Sequence, residues 1–344
     1  MIRPISLLLL SFTLAAGSAH AQTALALPLS GDVQGTHDPS IAKDGDTWYV
    51  LATGKAPDGG QFAIRCSKDK MRWTLCGHVF DAIPAWVHAL SPDTKDLWAP
   101  DVSFVDGKYR IYYAYSLFGK NTSGIALVVN RTLNPKSPDY KWVDKGLVFA
   151  SKASDNYNAI DPNFIRDADG HDWLAFGSFW DGIKMWRLDS KTGLLSKTDT
   201  RLYDLARRAR PENPGANPAG LPGNWQAIEA PFLVAHGGFY YLFTSWDLCC
   251  RGVKSTYRTM VGRSRSITGP YVDEAGMPLT QGGGTELLGK NARWLGPGGE
   301  SILMDPAGQD LIVYHAYDAT TGKPSMQIST IDWTGGWPHL ALGR

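Results

Sequence analysis

The sequence predicts an all-β protein folded as a five-bladed β-propeller, and three recurring features support that prediction. Five segments begin with an acidic residue, continue into a glycine-bearing turn, and then run into an aromatic or aliphatic strand. The acidic heads lie 63, 60, 68 and 71 residues apart, at Asp38, Asp101, Asp161, Glu229 and Glu300. A repeat of this length, built from short strands, is typical of blades arranged around an axis rather than of a helical solenoid.

Each unit is predicted to hold a strand at its acidic head, a tight turn and a second strand. The turns are placed at Asp44-Gly45, Asp106-Gly107, Asp169-Gly170, Gly237-Gly238 and Gly308. The second strands are placed at 48–51, 109–113, 173–176, 239–243 and 311–314. Further strands at 61–65 and 124–129 indicate four strands in a unit, whereas helical periodicity is confined to residues 203–210. A β-sandwich is the competing fold, but it does not explain the long repeat.

The first 21 residues are predicted to be a signal peptide rather than part of the fold. Arg3 supplies a positive charge, an apolar run begins at Leu7, and small residues precede a cleavage site after Ala21. The apolar run is too short to span a bilayer as a helix. We therefore expect a secreted or periplasmic protein, in which residues 22–344 form a single propeller domain with a long loop at 210–224.

The charge balance excludes two classes of partner. Without Arg3 the chain carries 33 basic and 33 acidic residues, so its net charge is near zero. Nucleic acids and anionic membranes select strongly basic surfaces, and neither is expected to bind. The 13 Trp and 14 Tyr residues suit a sugar-binding cleft, in which flat rings stack on sugar faces. We expect a monomer.

The four cysteines fit an oxidising compartment, where three pairings are formally possible. Cys66 and Cys76 flank a hairpin-like turn and form the best candidate pair. Cys249 and Cys250 are neighbours, and their Cα atoms are about 3.8 Å apart, which is shorter than usual disulfide spans. Unpaired buried thiols are the alternative for all four.

Acidic residues near the axis point to cleavage of a glycosidic bond. Equivalent positions of a propeller converge on its axis, so the repeat brings distant carboxylates together. A proline soon follows Asp161 and Glu229, and it marks a strand start or edge because it donates no ladder hydrogen bond. Carboxylates displayed there suit glycosidic cleavage, which uses two carboxyl groups across the scissile bond. For any single acid, the alternative is a structural role in capping backbone amides.

Three sequence motifs resemble the signatures of glycoside hydrolase family 43. They are His37-Asp38-Pro39-Ser40, Ala159-Ile160-Asp161-Pro162-Asn163-Phe164 and Gln226-Ala227-Ile228-Glu229-Ala230-Pro231-Phe232. A fourth segment is similar to one in the endo-1,5-α-L-arabinanases of this family, namely Ser245-Trp246-Asp247-Leu248-Cys249-Cys250-Arg251-Gly252. The resemblance covers residues 36 to about 341 and implies a five-bladed propeller, in agreement with the repeat count.

The resemblance implies a role for each of three acids. Asp38 corresponds to the general base that activates water, Glu229 to the general acid, and Asp161 to an acid that orients Glu229 and raises its pKa. A neighbouring negative charge keeps a carboxyl protonated to higher pH, as a general acid requires. The family inverts anomeric configuration, which requires an acid and a base about 6.5–9.5 Å apart to admit water. Asp101 and Glu300 are expected to be structural.

His315 is the candidate metal ligand, although a lone histidine is more often a core residue. We place it at the end of the innermost strand of the fifth unit. The resemblance implies a metal ion, generally Ca²⁺, on the propeller axis, bound by one such histidine and several waters. Calcium prefers oxygen ligands, so ligand spacing in the sequence does not reveal this site.

Five residues are candidate substrate contacts beside the three acids. The aromatic ones lie at strand ends, where loops face the mouth of the axis, and a role in the core is their alternative. The set comprises His37, Trp98, Phe118, Ser178 and Trp180.

The sequence thus predicts an inverting hydrolase that cuts internal α-1,5-L-arabinofuranosidic linkages in arabinan, a side chain of pectin. The nearest alternative is an exo-acting α-L-arabinofuranosidase or β-xylosidase of the same family, which shares the three acids. The second alternative is a non-catalytic sugar-binding propeller, in which the acids would be lost.

Overall fold

The structure, a computed structural model, describes residues 26–209, 227–306 and 308–340. Within these residues the chain forms five β-sheets. The first strand of each main blade sheet contacts that of the next, and the fifth contacts the first, so the sheets close a circle. This arrangement confirms the predicted five-bladed propeller. The predicted signal peptide and the whole of the predicted 210–224 loop lie outside the described residues.

The strands follow chain order from the axis outward in each blade, except that β1 lies outside β5 and pairs with it in parallel. The strands of the first two blades are β1 (Ser30–Gly31), β2 (Ser40–Asp44), β3 (Thr47–Leu51), β4 (Gln61–Ser67), β5 (Arg72–Phe80), β6 (Leu97–Val105), β7 (Lys108–Tyr115), β8 (Gly124–Asn130) and β9 (Val143–Ala150). The strands of the last three are β10 (Asn163–Arg166), β11 (Asp172–Phe176), β12 (Ile183–Arg187), β13 (Tyr203–Ala206), β14 (Ile228–His236), β15 (Phe239–Trp246), β16 (Arg258–Ser264), β17 (Thr285–Leu288), β18 (Trp294–Leu303), β19 (Leu311–Asp318), β20 (Pro324–Asp332) and β21 (His339–Leu340).

The glycine-bearing turns lie between the first two strands of each blade, as predicted. Asp106 and Gly107 have φ values of 51° and 74° and join the paired residues Val105 and Lys108. Two left-handed residues in succession are what a two-residue hairpin turn of the favoured hand requires, and Asp-Gly supplies them at low cost. The strands that follow are apolar and largely buried because neighbouring blades cover both of their faces.

A left-handed residue lies at or just before the innermost strand of every blade. Its φ is between 45° and 59°, and the five are Asp38, Ala99, Asp161, Ala230 and Gly299. Register shifts accompany this kink in β6, β14 and β18. A non-glycine residue in this region costs about 1–2 kcal/mol, and such costs concentrate at functional sites. The kinks redirect the chain where it meets the axis, and two of them fall on predicted catalytic acids.

The N-terminal segment closes the ring between the last blade and the first. The Leu27 amide donates to the Ile328 carbonyl on β20 at 2.7 Å, and β1 then pairs with β5. Leu27 and Leu29 pack on a buried cluster that contains residues of both blades, including Val50 and Leu311. The closure therefore combines backbone pairing with apolar burial.

Two local predictions are wrong. Residues 203–206 of the predicted helical stretch form β13, which pairs with β12 and buries Leu205 and Ala206. Pairing with an existing sheet edge outweighs the weak helical pattern. A helix was also missed, α1 (Ala85–Leu90), whose six residues are too few to show periodicity. No helix in the described residues is long and apolar enough to cross a membrane.

Both pairs of cysteines form disulfides. Cys66 and Cys76 join β4 to β5 across a Cα–Cα distance of 6.0 Å, as the hairpin position predicts. Cys249 and Cys250 are also joined, with their Cα atoms 3.8 Å apart. That span is the ordinary spacing of neighbouring Cα atoms, and Cys250 takes a left-handed conformation with φ of 64°.

His315 is not on the innermost strand, contrary to the prediction. It lies on β19, the second strand of blade five, and pairs with Gly298 on β18. Its ring is fully buried and reaches the axis past Gly299. A Cβ atom at Gly299 would lie 2.8 Å from His315 Nδ1 and 2.7 Å from Asp38 Oδ1. The missing side chain of Gly299 is what lets blades five and one approach at the axis.

We predict that Gly299→Ala lowers the free energy of unfolding more than Gly45→Ala does. The two glycines have φ values of 59° and 60°, so both substitutions incur a left-handed cost of about 1–2 kcal/mol. Only at Gly299 would the new methyl group also meet neighbouring atoms, which adds about 1–3 kcal/mol of overpacking. Urea denaturation of the two variants measures the difference. Equal losses would show that the axis tolerates a side chain at residue 299.

Candidate active site

A cleft of about 500 Å³ opens at the axis and is lined by all three predicted catalytic acids. Asp38 comes from the segment before β2, Asp161 from the segment before β10, and Glu229 from the start of β14. Blades one, three and four therefore each contribute one carboxyl group. Their convergence follows from the repeat, because each acid occupies the axial end of its blade.

Asp38 is held in its ionised form by two donors from its own blade. His37 Nδ1 lies 2.9 Å from Asp38 Oδ2, and the Thr53 hydroxyl donates to the same oxygen at 2.7 Å. Burial raises the pKa of Asp38, but the charge and hydrogen bond of His37, the nearby His315 and the Thr53 hydrogen bond outweigh it. The pKa of Asp38 is therefore well below its usual value. A carboxylate that stays ionised can accept a proton from water.

Glu229 is buried and accepts two hydroxyl hydrogen bonds. Ser178 donates to Glu229 Oε2 at 2.5 Å, and the Tyr257 hydroxyl donates to Oε1. Burial raises the pKa of Glu229, and the Asp38 charge adds to that effect. The two hydrogen bonds and His37 lower it, yet the net shift is upward. A raised pKa suits a group that must carry a proton near neutral pH.

Asp161 lies next to Glu229 in the structure and is electrostatically linked to it. Asp161 Oδ2 accepts a hydrogen bond from the Ala230 amide at 3.1 Å, which fixes the backbone beside Glu229. Burial, followed by the charges of Glu229 and Asp38, raises the pKa of Asp161 well above its usual value. Two carboxyl groups so placed do not both ionise readily, so the pair retains a proton to higher pH than either would alone.

The other two acidic heads are buried between blades. Asp101 accepts hydrogen bonds from Asn163 and from the Phe164 amide of blade three. Glu300 accepts hydrogen bonds from Ser245 and Thr259 of blade four. Burial raises the pKa of each to about 7. Neither lines the cleft.

The surroundings of His315 fit a cation bound by few protein groups and by water. His315, His37 and Asp38 offer ligand atoms that all lie within 4.8 Å of one another. A second cavity, of about 40 Å³, is lined by Asp38 and by three further acidic residues, Asp101, Asp161 and Glu300. Glu300 Oε1 is buried and has no hydrogen-bond partner among the described residues, so it is suited to a water or a cation. Metal binding by His315 stays a prediction.

The five predicted substrate contacts all line the cleft, together with residues that sequence reasoning missed. Phe118 is 72% exposed at its rim, whereas Ser178 is buried against Glu229. The missed residues include Thr53, Tyr257 and Tyr317, along with the Cys249–Cys250 pair. Hydroxyl groups at strand ends carry no spacing signal in the sequence, so no motif identified them.

Comparisons with known proteins agree with this geometry. The family model for glycosyl hydrolases family 43 matches residues 33–338. The extracellular endo-α-(1→5)-L-arabinanase 1 of Bacillus subtilis is 42% identical over 304 residues, which cover 88% of this chain and 86% of that protein. The extracellular exo-α-(1→5)-L-arabinofuranosidase ArbA of Cellvibrio japonicus is also 42% identical, over 316 residues with the same coverage.

A solved structure shows the same fold. The α-L-arabinanase of Cellvibrio cellulosa complexed with arabinohexaose superposes with a TM-score of 0.82 at 39% identity. The match covers 90% of this chain and 96% of that one. Similarity of this extent, in sequence and in fold, leads to one conclusion: the chain is a glycoside hydrolase and belongs to family 43.

Proposed function

We propose that this enzyme hydrolyses α-1,5-L-arabinofuranosidic linkages in arabinan with inversion of configuration. The observation that supports this most is the convergence of Asp38, Asp161 and Glu229 on one cleft, with opposite pKa shifts for Asp38 and Glu229. Two relatives at equal identity act on α-(1→5)-L-arabinan linkages by their names. A related enzyme has been solved with arabinohexaose.

In the proposed mechanism each carboxyl group has one task. Ionised Asp38 takes a proton from a water molecule, whose oxygen attacks the anomeric carbon. The bond from that carbon to the leaving oxygen breaks, and the oxygen takes the proton of Glu229. Asp161 orients Glu229 through the Ala230 amide and helps to keep the proton on the pair. Water and leaving group occupy opposite faces of the sugar, which gives inversion.

We predict that Glu229→Ala and Asp38→Ala differ in their dependence on the leaving group. Loss of the acid should slow arabinan hydrolysis by about 10²–10⁴-fold, because general acid catalysis is worth that much. It should spare much of the rate on an aryl arabinoside, whose leaving group needs little protonation. Loss of the base should abolish both reactions. Steady-state rates of the two variants on both substrates provide the test, and equal losses in Glu229→Ala would contradict its role.

Endo cleavage is the finer part of the proposal. The cleft volume of about 500 Å³ lies in the range that buries drug-sized ligands, which exceed a single pentose, so several sugar units fit. Residues of all five blades line it on different sides of the axis, among them Asp38, Phe118 and Gly322. The exo-acting relative is as similar as the endo-acting one, so exo cleavage is the second candidate.

The products released first from linear and branched arabinan distinguish the two modes. We expect short oligosaccharides of several lengths at low conversion, because a chain lying across the cleft is cut internally. Chromatography of samples from the first few per cent of reaction shows this directly. Release of a single short product or of monomer from the start would establish the exo mode.

We also propose a hard cation, most simply Ca²⁺, held on the axis by His315 and waters. When bound, it would supply positive charge that favours the ionised forms of Asp38 and Asp161. We expect His315→Ala to lose bound metal and to gain no thermal stability from added Ca²⁺. The exposed His88→Ala serves as the control and should keep both properties. Elemental analysis of washed wild-type protein without metal, with a melting temperature that chelator leaves unchanged, would refute the site.

We also propose that the protein is exported from the cytoplasm. The two curated relatives are named extracellular, and the first 21 residues have the features of a cleaved leader. The mature enzyme would then act outside the cytoplasm on a polysaccharide, as a monomer.

A further inference from the structure

The loop after β15 brings an unusual covalent element to the wall of the cleft. Cys249 is half-buried, Cys250 is exposed, and both line the cleft. A disulfide between sequence neighbours closes an eight-membered ring and thereby restricts the peptide that links them. Cys250 takes a φ of 64°, and the direction of its N–H is set by this ring.

That N–H begins a chain of hydrogen bonds that ends at Asp38. The Cys250 amide donates to the Tyr317 hydroxyl oxygen at 2.8 Å. Tyr317 Oη lies 2.9 Å from His37 Nε2, and His37 Nδ1 lies 2.9 Å from Asp38 Oδ2. Cys250 Sγ itself is 3.6 Å from His37 Nε2. Groups from blades four, five and one therefore meet around one imidazole.

The partners of its two ring nitrogens, Tyr317 and Asp38, set the orientation of His37. The Tyr317 oxygen accepts from Cys250, and two imidazole nitrogens lie near it, His37 Nε2 at 2.9 Å and His315 Nε2 at 3.4 Å, of which His37 is the closer partner. Whether the imidazole is neutral with its hydrogen on Nδ1 or protonated at both nitrogens, Nδ1 donates to Asp38 Oδ2. Thr53 donates to the same oxygen, which leaves Asp38 Oδ1 as the less occupied atom. The orientation of the carboxylate thus depends on His37 and, behind it, on Tyr317.

We propose that the Cys249–Cys250 disulfide is a positioning element for the catalytic base, acting through Tyr317 and His37, and that hydrolysis consequently depends on its redox state. The proposal rests on the function proposed above, in which Asp38 is the base. A disulfide that only lined the cleft would affect substrate binding, whereas one that positions Asp38 affects the chemical step.

Reduction converts the pair into two thiols. A dithiol reductant supplies two electrons and two protons, the S–S bond breaks, and the reductant becomes a cyclic disulfide. The ring between Cys249 and Cys250 then opens, and the Cys250 peptide is free to turn its N–H away from Tyr317. An oxidising medium keeps the pair joined and the enzyme active.

The kinetic test uses a background in which Cys249–Cys250 is the one disulfide that can be reduced. Cys66→Ala/Cys76→Ala removes the other, which joins two strands of blade one and does not line the cleft. We expect dithiothreitol to lower kcat by about 10²-fold, the effect of a misplacement of about 1 Å, with KM changed less than about twofold. Cys249→Ser/Cys250→Ser should show the same loss without reductant. If the Cys66→Ala/Cys76→Ala variant does not fold, the experiment uses wild-type protein instead. Alkylation and mass spectrometry then show which of its disulfides has been reduced.

Tyr317→Phe distinguishes an effect of the disulfide on the position of Asp38 from an effect on the stability of the loop. It should lower kcat in the oxidised enzyme, and reduction should add little further loss, because both changes break one chain of hydrogen bonds. Unchanged kcat on reduction, a rise in KM alone, or fully additive losses would each overturn the proposal.

A spectroscopic measurement tests the geometry without turnover. In protein labelled with ¹⁵N-histidine, we expect the His37 ring to report a hydrogen on Nδ1 in the oxidised form and a changed pattern after reduction. His37→Asn identifies the signal. An identical His37 spectrum in both forms would refute the proposed chain of hydrogen bonds. An Asp38→Ala variant that keeps its activity would instead refute the role of Asp38 as the catalytic base.

Discussion

One hydrogen bond, repeated at all five blade junctions, holds the axial end of this propeller together. At each junction a side-chain oxygen of one blade accepts a backbone N–H of the next. The five pairs are Ser40 with Val102, Asp101 with Phe164, Asn163 with Leu233, Ser245 with Gly299, and Ser301 with Ile41. Backbone groups at a narrow axis lack ladder partners where the strands kink, and leaving them buried and unpaired is costly. The ring of acceptors satisfies them and fixes the relative positions of the blades.

The choice of acceptor separates Asp101 from the three acidic heads that line the cleft. It does not account for Glu300, which is buried although Ser301 is the acceptor of its blade. In blade two, Asp101 is itself the junction acceptor, so it is buried and unavailable to substrate. In blades one and three, Ser40 and Asn163 serve as acceptors instead, and the acidic heads before them turn into the cleft. In blade four, Ser245 fulfils that role and leaves Glu229 free to meet Ser178 and Tyr257. In blades one to four, an acidic head therefore lines the cleft wherever a different side chain of the same blade serves as the junction acceptor.

Much of this could be predicted from the sequence, because the repeat records the radial symmetry. The turns, the second strands and the convergence of the acids all follow from residues that recur at each blade. What escaped prediction depends on contacts between blades that no repeat encodes. His315 reaches the axis from a second strand because residue 299 lacks a side chain. The role of Tyr317 depends on its contact with His37, which no sequence spacing reveals. Cys249 and Cys250 looked too close to pair, since the usual distances describe residues far apart in sequence.

In the proposed mechanism Asp38 and Glu229 act across a single bond as separate base and acid, without a covalent intermediate. The configuration of the first product distinguishes this mechanism from one with a glycosyl-enzyme intermediate. Time-resolved proton NMR of the newly formed reducing ends, recorded before mutarotation equilibrates them, reads out the anomer. Inversion of an α-linkage predicts that the β-anomer appears first and the α-anomer grows in later. Initial release of the α-anomer would mean that a carboxylate attacks the sugar itself, and would contradict the assignment of Asp38 as a base.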